Sequence, residues 1–309
     1  MNPEQLRQRL QGAHVALATP FTADDAVDDR ALAANIQWMA TTGLNGFLLL
    51  GSTGEQPHLS EFERTLVLEV GRYHIPEDLV LIAGTGFAGT RLTIEETQRA
   101  ADIGADVALV VTPSYYQKSM TAAALTKHYQ AVADASPIPI LLYSVPPITN
   151  VTIPPETVAA LAPHPNVLGM KNSGHDAQTA AAYRAAASTH EFILLGGSAY
   201  AAPGSLLAGL IDGVILAAAN VLPEAAAALV AAAQVQDVTA VRRQGDLLFR
   251  CSEAVGKYGI AGWKAGLAAR GHFGGAARSP QRTLGDEEAA WVRTWVAENV
   301  APGILDFGF

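Results

Sequence analysis

The chain has 309 residues, 50 % of them apolar and 16 % charged, which supplies side chain for a large core and excludes a disordered or fibrous protein. Twenty Lys and Arg against 29 Asp and Glu leave a formal charge of −9, a sign that repels nucleic-acid phosphates and anionic lipid. One cysteine, Cys251, permits no internal disulfide, and residues 1 to 21 carry no secretory signal pattern. Asp212 and Glu224 interrupt the most apolar region before it reaches the roughly 18 residues of a bilayer span, so a cytoplasmic protein without nucleic-acid or membrane partners is expected.

In chain order, eight short apolar runs alternate with stretches of helical composition. They are HVALAT (14 to 19), GFLLL (46 to 50), LVLIAG (79 to 84), DVALVVT (106 to 112), PILLYS (139 to 144), VLGMKN (167 to 172), FILLGG (192 to 197) and GVILAAA (213 to 219). Continuous apolar character is what strands buried on both faces require, and regular alternation with helices implies a parallel sheet. Helix starts fall between the runs: Ser60 with Glu63 forms a capping-box pattern, Thr93 with Glu96 repeats it, and Pro154-Pro155-Glu156 opens a helix after the fifth run. The expected fold is therefore α/β, a (β/α)₈ TIM barrel over residues 1–222, with additional Ala-rich C-terminal helices over 223–309 packed on it. No linker composition separates the two parts.

Barrel enzymes work at the C-terminal ends of their strands, so polar residues that finish an apolar run are the informative ones. Thr19, GSTGE (51 to 55), Tyr115 and Tyr116, Tyr143 and Lys171 stand there. Lys171 is the sharpest: fifteen Arg accompany only five Lys, and only Lys171 lies inside a strand-like run. Desolvation favours the neutral amine, the form that attacks a ketone; the plainer alternative is a snorkelling or ion-paired lysine, which the barrel-mouth position disfavours. Tyr143, one βα unit earlier, is within reach as a proton shuttle or is a buried tyrosine with a structural hydroxyl. GSTGE offers backbone N–H groups and the hydroxyls of Ser52 and Thr53 to a carboxylate or phosphate, although an ordinary turn has the same composition.

Three other patterns carry less. GTGFAG matches a dinucleotide-binding turn at Gly84, Gly86 and Gly89, but the next strand ends in Thr112 and Pro113 rather than an acidic ribose partner. The eight histidines show no metal-ligand spacing, and GGSAY lacks the last glycine of a nucleophile elbow. No metal or organic cofactor is expected.

GSTGE, VVTPSYY (110 to 116), LLYSVPPIT (141 to 149) and GMKNSG (169 to 174) resemble, in order and spacing, the pyruvate-dependent class I aldolases of the dihydrodipicolinate synthase and N-acetylneuraminate lyase family. The likeness continues through LLGGSA (194 to 199) and GVILAAAN (213 to 220) to GIAGWK (259 to 264). The resemblance implies that Lys171 forms a Schiff base with a small-molecule 2-oxo acid and that Tyr143 transfers protons. It further implies that Ser52 links Tyr143 to Tyr115 of a neighbouring subunit, in a homo-oligomer built as a dimer of dimers; Tyr115 is taken over Tyr116 for its distance from Pro113. Thr53 would hold the carboxylate, while Ser173, Gly197 and Ile215 would line the substrate pocket.

The synthase branch of this family carries an arginine for the aldehyde's carboxylate where this chain has Ile148. YSVP, TPSYY, SPIPILLYS and the serine in GMKNSG instead resemble the 4-hydroxy-2-oxoglutarate aldolase branch, with Asn172 as a departure. The expected reaction is therefore cleavage of 4-hydroxy-2-oxoglutarate to pyruvate and glyoxylate. The alternatives are 4-hydroxy-tetrahydrodipicolinate synthase, condensing pyruvate with aspartate semialdehyde, or a 2-keto-3-deoxy sugar acid aldolase or dehydratase.

Overall fold

Each of the eight apolar runs forms a strand in the computed structural model, which describes residues 2–300. The strands are β1 (Ala13–Ala16), β2 (Gly46–Leu49), β3 (Val80–Gly84), β4 (Val107–Val111), β5 (Ile140–Ser144), β6 (Val167–Asn172), β7 (Ile193–Gly196) and β8 (Gly213–Leu216). All neighbours pair in parallel, and β8 returns to β1 to close the barrel. The expected (β/α)₈ barrel with further C-terminal helices is the observed architecture.

Closure divides the strand residues between two cores, because successive side chains point to opposite faces. Leu48, Ile82, Leu109, Leu141 and Leu195 fill the barrel interior, whereas Phe47, Leu49, Leu81, Leu142 and Leu194 pack outward under the helices. A register irregularity where β5 meets β6, between Ile140 and Leu141, leaves Met170 outward and brings Lys171 opposite Tyr143. At Gly169 on β6 a Cβ would lie 2.0 Å from the Ile193 carbonyl oxygen, so only glycine lets β7 approach.

The helix Pro3–Leu10, which precedes the first apolar run, closes the N-terminal end of the barrel by placing Leu6 and Leu10 in the interior core. Its start is set by Asn2 and Gln5, which cap each other's backbone N–H groups. Ser60 and Glu63 form the expected capping box, and Pro155 begins its helix. Thr93 differs from expectation: the helix Thr90–Ile103 is capped four residues earlier, at Gly89, and Thr93 Oγ1 instead accepts the Phe87 N–H at 3.1 Å. The helix Pro223–Gln234 packs on β8 and β1, and Val238–Ala254, Gly259–Ala269 and Asp286–Asn299 follow it. No helix of the described residues is long and apolar enough to cross a membrane.

Two buried imidazoles make this fold sensitive to acid. His14 on β1 is fully buried, its Nδ1 lacks a partner, and burial pulls its pKa down to about 4; burial does the same to His128. Both stay neutral in the fold above that value, while the unfolded chain takes up their protons near pH 6.5. Stability is therefore complete above about pH 6.5 and lost as pH falls toward 4, His14 alone contributing on the order of 3 kcal/mol. Urea midpoints measured from pH 7 to 4 should decline in that window; a flat profile would contradict the assignment.

Candidate active site

The C-terminal ends of β5 and β6 set the centre of the site. Tyr143 and Lys171 are register partners there, both inward-facing, and Lys171 Nζ lies 4.5 Å from the centroid of the Tyr143 ring. Lys171 is buried, 4 % exposed, yet it lines a cavity of about 290 Å³ at the barrel mouth. Among the described residues no carboxylate lies within ion-pair distance of its amine, so none competes for Nζ.

Most residues singled out in the sequence converge on this cavity. Ser52, Thr53, Tyr143, Lys171, Ser173, Gly197 and Ile215 all line it. Gly197 is there for want of space, since a Cβ would lie 2.0 Å from Ser173 Oγ and 2.9 Å from Lys171 Cε. The hydroxyl that reaches Tyr143 is that of Ser173, donating to Tyr143 Oη at 3.4 Å, a long contact. Ser52 instead stands between this cavity and a smaller one of about 120 Å³, which it shares with Tyr143, Ser114 and Thr149.

The loop that carries Ser52 and Thr53 is held in an unusual shape. Leu50 and Glu55, which bracket it, both adopt left-handed backbone angles, φ 57° and 58°, each costing about 1–2 kcal/mol for a residue with a Cβ. Thr19, also flagged at a strand end, supports this loop by donating its hydroxyl to the Gly54 carbonyl at 2.7 Å. Tyr115 and Tyr116 are placed apart from the cavity. They stand 79 % and 71 % exposed at the barrel mouth, their rings edge to face at 5.0 Å.

Several cavity residues were not anticipated. His175, four residues after Lys171, borders the cavity with Nδ1 2.8 Å from Ser198 Oγ. Gly259, Ile260 and Trp263, within the GIAGWK segment, cover it from a C-terminal helix rather than from a strand end. Cys251 is buried with its thiol pKa pushed up by burial, which leaves it inert. Among the described residues no three His, Cys, Asp or Glu side chains gather into a metal-binding group.

The site thus offers a buried primary amine beside a phenol, at the mouth of a barrel, with hydroxyls and a strained loop opposite. Residues 9–298 match the model of a family described as the dihydrodipicolinate synthetase family. A protein of Stenotrophomonas maltophilia named 4-hydroxy-tetrahydrodipicolinate synthase is 43 % identical over 216 residues, 70 % of this chain and 71 % of the relative. One of the same name from Exiguobacterium sp. is 39 % identical over 276 residues, 87 % of this chain and 91 % of the relative. Among solved structures, dihydrodipicolinate synthase from Aquifex aeolicus superposes with a TM-score of 0.88 at 28 % identity, covering 94 % of this chain and 99 % of the other. A prophage protein of E. coli from the dihydrodipicolinic acid synthase family, in complex with pyruvate, gives 0.88 at 26 % identity over 94 % and 98 %.

These relatives overturn the expectation of a 4-hydroxy-2-oxoglutarate aldolase and favour the synthase alternative. The branch expectation rests on the absence of an arginine at Ile148 and on short motifs, the serine of GMKNSG among them; that Ser173 donates to the Tyr143 hydroxyl, a contact that either reaction can use. Asn172, the departure from that branch, is explained locally: its Oδ1 accepts the Gly174 N–H at 3.0 Å, closing a turn in which Asn and Asp serve equally, so it reports on the turn and not on the substrate.

Proposed function

Because the chain belongs to the dihydrodipicolinate synthetase family, whose members are pyruvate-dependent enzymes of the class I aldolase type, we propose that Lys171 is the Schiff-base lysine and that the reaction is the condensation of pyruvate with aspartate semialdehyde. The observation that carries this reading is the pairing of Lys171 with Tyr143 across β5 and β6, amine beside phenol in one cavity.

In this reading Lys171 Nζ adds to C2 of pyruvate and water leaves, giving an iminium. A C3 proton is then released and the electron pair flows toward the iminium nitrogen, so C3 becomes a nucleophilic enamine carbon. C3 attacks the aldehyde carbon, and the new alkoxide takes a proton from the Tyr143 relay. The amino group of the second substrate then displaces Lys171 from C2 and closes the ring. Thr53 and the loop N–H groups hold the pyruvate carboxylate, Ser173 positions the Tyr143 hydroxyl, and Gly197 and Ile215 shape the wall.

The exposed Tyr115 and Tyr116 fit a homo-oligomer in which a second copy covers them and Tyr115 joins the relay through Ser52. The experiment that tests the reading is a coupled assay in which purified enzyme, pyruvate and aspartate semialdehyde are followed for cyclic product. Product formation at a rate typical of enzymes supports it, and turnover of neither substrate refutes it.

Ile148 sets a limit on the second substrate. It borders the cavity, 63 % exposed, and brings no charge to a distal carboxylate. Ile148→Arg is expected to lower KM for aspartate semialdehyde by about tenfold or more, since a charge-assisted hydrogen bond contributes roughly 1.5–3 kcal/mol. Pyruvate KM should hardly change; an unaltered KM for the aldehyde would place its carboxylate elsewhere.

A further inference from the structure

GSTGE and GIAGWK each place residues on the cavity wall, and each also carries a charged residue behind it: Glu55 and Lys264. Their side chains are 0 % and 1 % exposed, and Lys264 Nζ meets Glu55 Oε1 at 2.6 Å, at an angle outside hydrogen-bond geometry. Glu55 Oε2 accepts the Arg278 backbone N–H at 2.9 Å. Lys264 Nζ donates to the Ala276 carbonyl at 2.7 Å and sits 4.2 Å from the Phe21 ring centroid. Neither residue lines the cavity.

The pair has a specific neighbourhood on each side. Glu55 ends the loop that presents Ser52 and Thr53, and it does so in the left-handed conformation, which a residue with a Cβ keeps only when its surroundings impose it. Lys264 follows Trp263 on the helix Gly259–Ala269, whose Gly259, Ile260 and Trp263 form the facing wall. A carboxylate with this much desolvation is anchored in one place: Oε1 meets Lys264, Oε2 lies 3.4 Å from His58 Nδ1 beside the Arg278 N–H, and moving it away would strand the Lys264 charge in the interior.

We propose that the buried Glu55–Lys264 pair is a positioning device for the reaction, fixing the loop of Ser52 and Thr53 against the helix of Trp263 and so setting the carboxylate-binding edge of the Lys171 cavity. Both residues act through Thr53 and Ser52 rather than on substrate. The inference rests on the reading of that cavity as the pyruvate site.

Lys264→Met alone strands a buried charge and endangers folding, so the test uses two other variants. Glu55→Gln combined with Lys264→Met removes both charges at similar volume. Glu55→Asp keeps the charge, shortens its arm by one methylene, and suits the left-handed backbone better than Glu. In folded protein, checked by circular dichroism, each variant is expected to raise KM for pyruvate about tenfold or more while kcat at saturating pyruvate falls less than about threefold, the pattern of lost substrate binding. A pair that serves folding only would return the parental KM in the double variant, and that result would overturn the proposal; if the double variant fails to fold, a parental KM in Glu55→Asp overturns it equally. A parent enzyme that forms no borohydride-reducible adduct with pyruvate would refute the pyruvate reading itself, which is distinguishable from an unchanged KM in a parent that does form one.

Discussion

Replacement of Lys171 by methionine is expected to reduce kcat/KM by about 10⁵-fold, because in the proposed reaction the nucleophile and the electron sink are the same nitrogen and among the described residues no other amine lines the cavity. The fold should survive. Methionine matches the length of the buried lysine stem, and the inward position on β6 accepts an unbranched apolar side chain beside Leu195 and Tyr143. Steady-state rates together with a thermal unfolding curve separate the two effects: activity lost with melting retained is the predicted result, and a variant within tenfold of the parent would refute the assignment.

Tyr143→Phe tests the proton path with little disturbance to packing. The ring remains in the interior core, and what disappears is the hydroxyl that accepts from Ser173 Oγ. General acid–base groups contribute about 10²- to 10⁴-fold, so kcat should fall by that factor. Pyruvate affinity, which depends on Thr53 and the loop backbone in this account, should change little. A variant with full kcat would move the proton transfers to another group, and a variant with normal kcat but greatly raised KM would make Tyr143 a binding residue.

The barrel, and the two residues that meet at the centre of its candidate site, are legible in the sequence for physical reasons. Strands buried on both faces leave uninterrupted apolar runs, and within such a run a single lysine is conspicuous because burying an amine is costly; Lys171 announced itself in that way. Tyr143 followed from it, since adjacent parallel strands present their ends side by side. The helix Pro3–Leu10 was less legible: its signals were one capping pair and two leucines spaced by four, too few to stand out against an irregular N-terminus. The cavity wall formed by Gly259, Ile260 and Trp263 depends on how the C-terminal helices fold back over the barrel mouth, a long-range arrangement that no local pattern records. Thr93 misled because Thr followed three residues later by Glu is a capping signature only when the backbone at Thr is extended, and here it is already helical.

The substrate branch failed for a different reason. Ile148, Asn172 and Ser173 differ from one another in what they touch: a cavity rim, a turn N–H and the Tyr143 hydroxyl. Only groups in contact with substrate discriminate substrates, and a sequence does not distinguish a side chain that faces the cavity from one that closes a turn. Tyr115 stands outside the reach of any single-chain reading, because its surroundings in this account come from a second copy.

The most direct test of the central claim is chemical. Incubation of the enzyme with pyruvate and sodium borohydride, followed by proteolysis and mass spectrometry, should find a reduced three-carbon adduct on the peptide containing Lys171, with enzyme activity lost in parallel. An adduct on Lys118, Lys127, Lys257 or Lys264 instead, or inactivation with Lys171 unmodified, would contradict the account.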